Sequence, residues 1–243
     1  MTNNSRIWLL AGFGGHEAHW GTFPEELAQR LGVRPEFVDW ATDVAGARDL
    51  AEAGRFLAQR ALSEGQRPVL IGYSMGGRLA IEAALQAPGA FESVVALSAH
   101  PGLDTDDEKK ARREEDAAWA ELLLRDERLF WQRWHQRPAL LGSVTPAELS
   151  WTPAERARWA QLLEALSTGG QEFFPPRLEA CFALPPLFTV CGEQDLKFCQ
   201  LQERFPPKIS RARVRAGHRL PLDNPQDLAH TIAGFLRPEL THD

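Results

Sequence analysis

Ser74 stands between two glycines in VLIGYSMGGRLAIEAAL (residues 69–85), where an apolar run gives way to a helical pattern. A serine hydroxyl so placed serves as a nucleophile once a neighbouring base takes its proton. The Gly72-x-Ser74-x-Gly76 pattern alone decides little, because 19 glycines in 243 residues yield it by chance in about one such chain in twenty. Its position decides more. A strand-to-helix junction is where a strained nucleophile turn forms, with small residues around it so that backbone and substrate can approach. The helix that follows also offers its first amides to developing negative charge. The alternative is a glycine-rich turn with an inert serine.

A base and an orienting acid follow in the order that such a serine requires, acid before histidine. TVCGEQD places Asp195 just beyond the end of an apolar run, and VRAGHRLPLDNP places His218 on a loop opened by Gly217. A carboxylate accepting from His Nδ1–H fixes the tautomer, which leaves Nε2 to receive the serine proton. Glu193 and Asp223 are close enough in sequence to compete for the acid's place. His16, His19, His135, His230 and His242 have no such placement and read as surface or packing residues. An oxyanion site would combine the amide of Met75 with one from the loop AGFGG (11–15), which makes Phe13 the second donor. Gly12, Gly14 and Gly15 are also compatible with a plain tight turn. A phosphate cradle is set aside because no G-x-x-x-x-G-K-[ST] follows.

The elements that must hold these residues alternate in type. RIWLLAG (6–12), PEFVDW (35–40), PVLIGYS (68–74) and SVVALSA (93–99) read as strands. FPEELAQRL (23–31), ARDLAEAGRFLAQRAL (47–62) and MGGRLAIEAALQ (75–86) read as helices between them. The pattern resumes at PPLFTVCGE (185–193) and ISRARVRAG (209–217), and a closing helix spans 224–238. Alternation of this kind predicts an α/β protein with a mostly parallel central sheet flanked by helices. Residues 104–180 interrupt it with charge-rich, helically periodic sequence. They read as three or four helices inserted as a cap between core segments 1–103 and 181–243. Trp119, Trp131, Trp134, Trp151 and Trp159 within the insertion must pack on something.

Composition narrows the classes further. A chain of 243 residues with 44% hydrophobic and 25% charged residues suits one α/β domain with an insertion. A net charge of -6 argues against a nucleic-acid partner, which needs a basic surface. The apolar N-terminal stretch is too short for a membrane helix and reads as a strand, so no membrane insertion is expected. Three cysteines, Cys181, Cys191 and Cys199, lie in no metal-ligand spacing. They indicate reduced thiols in a cytoplasm, and no metal site is expected.

GYSMGGR, AHPGL, CGEQDLKF and RAGHRLPLDNP, with RREEDAAWA, WQRWHQRP and STGGQ of the insertion, carry a family resemblance. Together they resemble the 2-succinyl-6-hydroxy-2,4-cyclohexadiene-1-carboxylate synthases of menaquinone biosynthesis. CGEQDLKF, AHPGL and the spacing of Arg112, Asp116 and Trp119 are the more specific parts. The resemblance implies an α/β-hydrolase fold with an inserted helical cap. It also implies a lyase that removes a proton, eliminates pyruvate and rearranges the ring, with no metal and no organic cofactor. Carried over by position, it makes Ser74, Asp195 and His218 the triad and sets Tyr73, Arg78, Arg112 and Trp134 against substrate. Arg78 lies one turn into the helix that Ser74 opens, and Arg112 lies on the cap. A small substrate bearing several carboxylates needs such planar forks. The alternatives are a solvated helix arginine for Arg78 and a surface charge for Arg112.

The chain departs from the family pattern in three places. Ala11-Gly12 replaces the usual His-Gly, and VDWATDVAGA (38–47) replaces the usual Pro-Gly-His-Gly. A third, cap-borne arginine has no clear match, with Arg156 and Arg158 the nearest candidates. These departures keep a second reading open, a serine carboxylesterase or thioesterase on the same fold. A third reading, a non-catalytic ligand-binding relative, is disfavoured by the complete Ser–Asp–His set. Oligomeric state has no signature in the sequence.

Overall fold

Six strands, all parallel, form a single sheet in the computed structural model, which describes residues 6–145 and 150–237. In chain order the elements begin with β1 (Ile7–Leu10), α1 (Phe23–Leu31), β2 (Glu36–Phe37), α2 (Trp40–Asp43) and α3 (Leu50–Ser63). There follow β3 (Val69–Tyr73), α4 (Met75–Gln86) and β4 (Ser93–Leu97), then α5 (Asp106–Arg125), α6 (Glu127–Trp134), α7 (Pro153–Ala165) and α8 (Phe174–Ala180). The last part holds β5 (Leu187–Gly192), α9 (Leu196–Gln202), β6 (Ser210–Val214), α10 (Leu220–Asp223) and α11 (Pro225–Leu236). The strand order is β2-β1-β3-β4-β5-β6.

The continuous apolar runs exist because both faces of this sheet are covered. Successive residues then divide between two cores. Trp8, Leu10, Leu70 and Val94 join the side chains of α3 and α4, whereas Ile7, Leu9, Ile71 and Val95 join those of α1 and α11. After β1 the chain steps outward to β2, then returns to place β3 on the other side of β1. That reversal opens a crevice at the carboxyl ends of β1 and β3, the place where ligands bind in open α/β sheets.

Helices α1 and α4 have the bounds the periodicity predicts. The second strand is shorter than expected, because Trp40 starts α2 and its indole Nε1 donates to Ala11 O at 2.9 Å. This bond belongs to the segment that replaces the family's usual Pro-Gly-His-Gly. Helix α3 starts at residue 50 rather than 47 because Asp49 caps it, accepting from Glu52 N–H at 2.7 Å.

The stretch 104–180 contributes α5 to α8. Thr105 with Glu108, and Thr152 with Glu155, form reciprocal capping boxes that start α5 and α7. Helices α5 and α7 pack together, and their buried residues Ala120, Leu123, Trp159 and Leu163 continue the core of the α3/α4 face. Arg177 of α8 donates to both carboxylate oxygens of buried Glu82 on α4, at 2.6 and 2.7 Å. The inserted helices are thereby tied to the sheet's own helical layer.

Candidate active site

Ser74 adopts φ 53° and ψ -108°, a left-handed conformation that costs a non-glycine residue about 1–3 kcal/mol. The turn holds because the chain around it is packed too closely to relax. A Cβ on Gly72 would lie 2.3 Å from Gly76 O, and one on Gly76 would lie 2.2 Å from Leu10 O. Both glycines are therefore demanded by close approach. The result lifts the serine hydroxyl above the sheet at the amino end of α4.

His218 Nδ1 lies 2.6 Å from Asp195 Oδ2, and His218 Nε2 lies 3.4 Å from Ser74 Oγ. An ionised carboxylate only accepts, so Nδ1 carries the proton and Nε2 faces the serine as an acceptor. Asp195 and His218 are both buried. Asp195 Oδ1 accepts from Phe198 N–H at 3.3 Å as the cap of α9, which fixes the carboxylate's plane. The competing acids face elsewhere. Asp223 accepts from Gly217 N–H, Ser143 Oγ–H and Val144 N–H at 3.0, 2.8 and 2.7 Å, and Glu193 is exposed.

A cavity of about 320 Å³ opens above Ser74. Phe13, Tyr73, Met75, Arg78, Arg112 and Trp134 all line it, together with Ser74 and His218. Met75 is the first residue of α4, so helix geometry leaves its N–H without an intrahelical partner. Phe13 N–H meets no backbone acceptor among the described residues. Burial pushes the Tyr73 phenol well above its ordinary value, so it stays protonated beside the His218 ring, 5.5 Å away between centroids. The tryptophans of the insertion gather on Phe13, whose ring centroid is 4.8 Å from Trp134, 5.3 Å from Trp159, 6.2 Å from Trp151 and 6.3 Å from Trp131. Trp119 joins the cluster edge-on to Trp134 at 5.3 Å.

The cavity is cationic although the chain carries a net charge of -6. Arg78 is 4% exposed, donates to Gln171 Oε1 at 2.9 Å and Leu166 O at 2.7 Å, and has no ion pair among the described residues. Burial, followed by repulsion from Arg112, brings its pKa down to about 10. It is not the solvated helix arginine of the bland alternative. A buried cation lacking a counter-ion favours an anion in the space beside it. Arg112 is partly buried, with Nε 2.8 Å from the buried carboxylate of Asp116, so it is no free surface charge either.

Of the arginines in 104–180, Arg137 joins Arg112 at the cavity, whereas Arg156 and Arg158 do not. Arg156 pairs with Glu127, and Arg158 donates to Thr42 Oγ1 at 2.9 Å; neither lines the cavity. Arg137 lies 4.4 Å above the Trp134 ring and donates to Glu115 at 3.0 Å. Lys197 and Arg219 line the cavity as well. Burial, then the charges of Arg112 and Arg137, lowers the pKa of Lys197, which is how a cluster of like charges registers on one member.

Sequence reasoning passed over His100, which is buried and lines the cavity. His19 and His135 also line it; His135 Nδ1 lies 2.8 Å from Arg219 Nη2. His230 is exposed on α11, His16 caps the turn at Glu17–Trp20, and His242 lies outside the described residues. Among the described residues no group of three or more His, Cys, Asp or Glu side chains could hold a metal. No helix of those residues is long and apolar enough to cross a membrane.

We expect Arg78→Gln and Arg112→Gln each to reduce kcat/KM about ten- to a hundredfold, the scale of a hydrogen bond to a charged group in a partly desolvated site. Lysine at either position should restore only part, lacking the fork. Arg137→Gln should show a smaller loss and Arg158→Gln none. Steady-state kinetics on an anionic substrate checks all four, and wild-type values for Arg112→Gln would take that residue out of substrate binding.

The alpha/beta hydrolase family model matches residues 9–231. The chain is 33% identical over 174 residues to the 2-succinyl-6-hydroxy-2,4-cyclohexadiene-1-carboxylate synthase of Citrobacter koseri, covering 69% of this chain and 68% of that one. Among solved structures, MenH from S. aureus superposes with a TM-score of 0.80 at 20% identity, covering 99% of this chain and 96% of that one. An esterase from Thermogutta terrifontis, with malate bound, gives 0.63 at 18% identity over 97% of this chain and 90% of that one. At these identities the two structures speak for the fold.

Proposed function

The chain belongs to the alpha/beta hydrolase family and, within it, to the 2-succinyl-6-hydroxy-2,4-cyclohexadiene-1-carboxylate synthases; from that premise we propose that it is a lyase of menaquinone biosynthesis. It eliminates pyruvate from 2-succinyl-5-enolpyruvyl-6-hydroxy-3-cyclohexene-1-carboxylate. The observation that carries this reading is the pairing of the Ser74–His218–Asp195 chain with a cavity whose cations, Arg78 above all, lack enough anions of their own. A plain esterase pocket has no need of four or five cations around its serine. A substrate bearing several carboxylates does.

In this reading Asp195 holds His218 with Nε2 free, and His218 draws the proton from Ser74 Oγ. Ser74 Oγ then acts as a base on a substrate C–H. The electron pair left on carbon spreads to a carbonyl oxygen, where the amides of Phe13 and Met75 stabilise it. The electron pair then forms a ring C=C as the carbon–oxygen bond to the enolpyruvyl group breaks; the leaving enolate takes up the proton held by His218 and departs as pyruvate, which restores the resting Ser74–His218 pair. Arg78 and Arg112 clamp carboxylates so that the C–H points at Oγ, a positioning effect that lets a weak base suffice. Tyr73 and Trp134 shape the apolar walls, and residues 104–180 serve as the lid that excludes water. The free cysteines Cys181, Cys191 and Cys199 fit a reducing compartment and support a cytoplasmic location.

The alternative, a carboxylesterase or thioesterase, has the same serine attack a carbonyl and form an acyl-enzyme. The test compares kcat/KM for the enolpyruvyl cyclohexene substrate with that for a panel of short esters and thioesters. A preference of several orders of magnitude for the former is expected. A preference for any ester would promote the hydrolase.

A further inference from the structure

His100 is a buried titratable group at the cavity wall that the proposed chemistry leaves unused. It lies three residues past β4, in the AHPGL stretch. Its ring is held on one side by the backbone, with Nδ1 accepting from Gly102 N–H at 3.0 Å. It is held on another by the Phe198 ring, edge-on at 6.2 Å. Its carbonyl accepts from Gln171 Nε2 at 3.2 Å, and the same glutamine accepts from Arg78 through Oε1. His100 and Arg78 are thus coupled through one side chain of the inserted segment.

An Nδ1 that accepts from an amide carries no proton, so the neutral ring carries its proton on Nε2. That Nε2–H meets no acceptor among the described residues, yet it is not among the fully enclosed polar atoms; the residue is 8% exposed and lines the cavity. Burial, then the positive charges of Arg78, Arg112, Lys197 and Arg204, pushes the pKa of the imidazole down to about 3. Around neutral pH the ring is therefore a donor without charge. Among cations that is useful: it adds a hydrogen bond to an anion without adding repulsion between like charges.

We propose that His100 is a substrate-binding residue, whose Nε2–H takes one oxygen of a substrate carboxylate held beside it by Arg78 and Arg112. This rests on the reading of the cavity as a carboxylate site. It assigns that site a neutral third donor, and with it a means of selecting for the anion. An analogue lacking the carboxylate leaves a buried donor unpaired, which binding sites reject more strongly than a missing methylene.

The substitution that separates binding from structure is His100→Asn. An asparagine side-chain oxygen can accept from the amide two residues on, so the bond to Gly102 N–H survives while the donor in the cavity is withdrawn. The probes are succinate dianion and uncharged succinamide, followed by titration calorimetry and by nitrogen-detected NMR of histidine-labelled protein. In the wild type, saturation with succinate should shift the His100 Nε2–H resonance, and succinamide should not. His100→Asn should melt at the wild-type temperature and bind succinate about tenfold more weakly. Wild-type affinity in His100→Asn, an unmoved His100 signal at saturation, or no binding of succinate to the wild type would each overturn the proposal. Should the variant fail to fold, the NMR titration of the wild type decides. Because no turnover is involved, failure to release pyruvate from the enolpyruvyl substrate would remove the lyase reading and leave this result standing.

Discussion

Ser74→Ala and His218→Ala are each expected to lower turnover at least about a thousandfold while leaving the fold intact. The size follows from the geometry. Ser74 Oγ has one hydrogen-bond partner in the described structure, His218 Nε2 at 3.4 Å, and that partner faces the cavity. In the proposed chemistry, removing either group removes the base that takes the substrate proton. Stability should change little with Ser74→Ala, because the strained turn is imposed by Gly72, Gly76 and the packing of α4 on β1, none of which the substitution touches. Two groups that act as a unit are not additive, so the double variant should be little worse than either single one. Steady-state kinetics with a thermal melt checks both halves. Turnover within tenfold of wild type in Ser74→Ala would remove the serine from the chemistry.

Asp195→Asn should be nearly as severe, on the order of a thousand- to ten-thousandfold. The carboxylate does two things for His218: it accepts Nδ1–H at 2.6 Å, and its charge stabilises the imidazolium that forms when Ser74 gives up its proton. An amide can present its NH2 to Nδ1 instead. The ring then carries its proton on Nε2, where it can no longer serve as a base. Asp223→Asn is the control. Its carboxylate tethers the His218 loop to the segment at Ser143 and Val144, so its loss should loosen that contact and cost about tenfold or less. The reverse ranking would hand the acid's role to Asp223.

β1, β3, β4 and β5 were legible because parallel strands buried on both faces announce themselves as unbroken apolar runs. The helix after Ser74 was legible because MGGRLAIEAALQ shows helical spacing directly after a strand-like run. β2 was not. It pairs with β1 through two residues only, and the indole of Trp40 is drawn to Ala11 O, a bond between distant residues that no local pattern encodes. That Ser74, Asp195 and His218 would meet was legible because they follow strand ends in a fixed order. Arg137 and His100 were not. In a charged helical segment the spacing does not say which side meets the cavity, so Arg156 and Arg158 were the candidates and not Arg137, which lies over the Trp134 ring. His100 looks unremarkable until Gly102 N–H is seen to occupy its Nδ1 and the cations appear around it. A cavity is a property of elements brought together, and its lining is read from the fold rather than from the chain.

The central claim is that Ser74 acts as a base on carbon and not as a nucleophile on a carbonyl. It is tested most directly by following pyruvate release and the intact protein mass in the same reaction. Incubated with the enolpyruvyl cyclohexene substrate, the protein should release one pyruvate for each substrate consumed. The Ser74 peptide should carry no added mass at any time during turnover, and there should be no initial burst of covalent product. Slow hydrolysis of small activated esters is compatible with this, since the same donors and serine are present. A trapped acyl group on Ser74, fast saturable ester cleavage and no pyruvate would contradict the account.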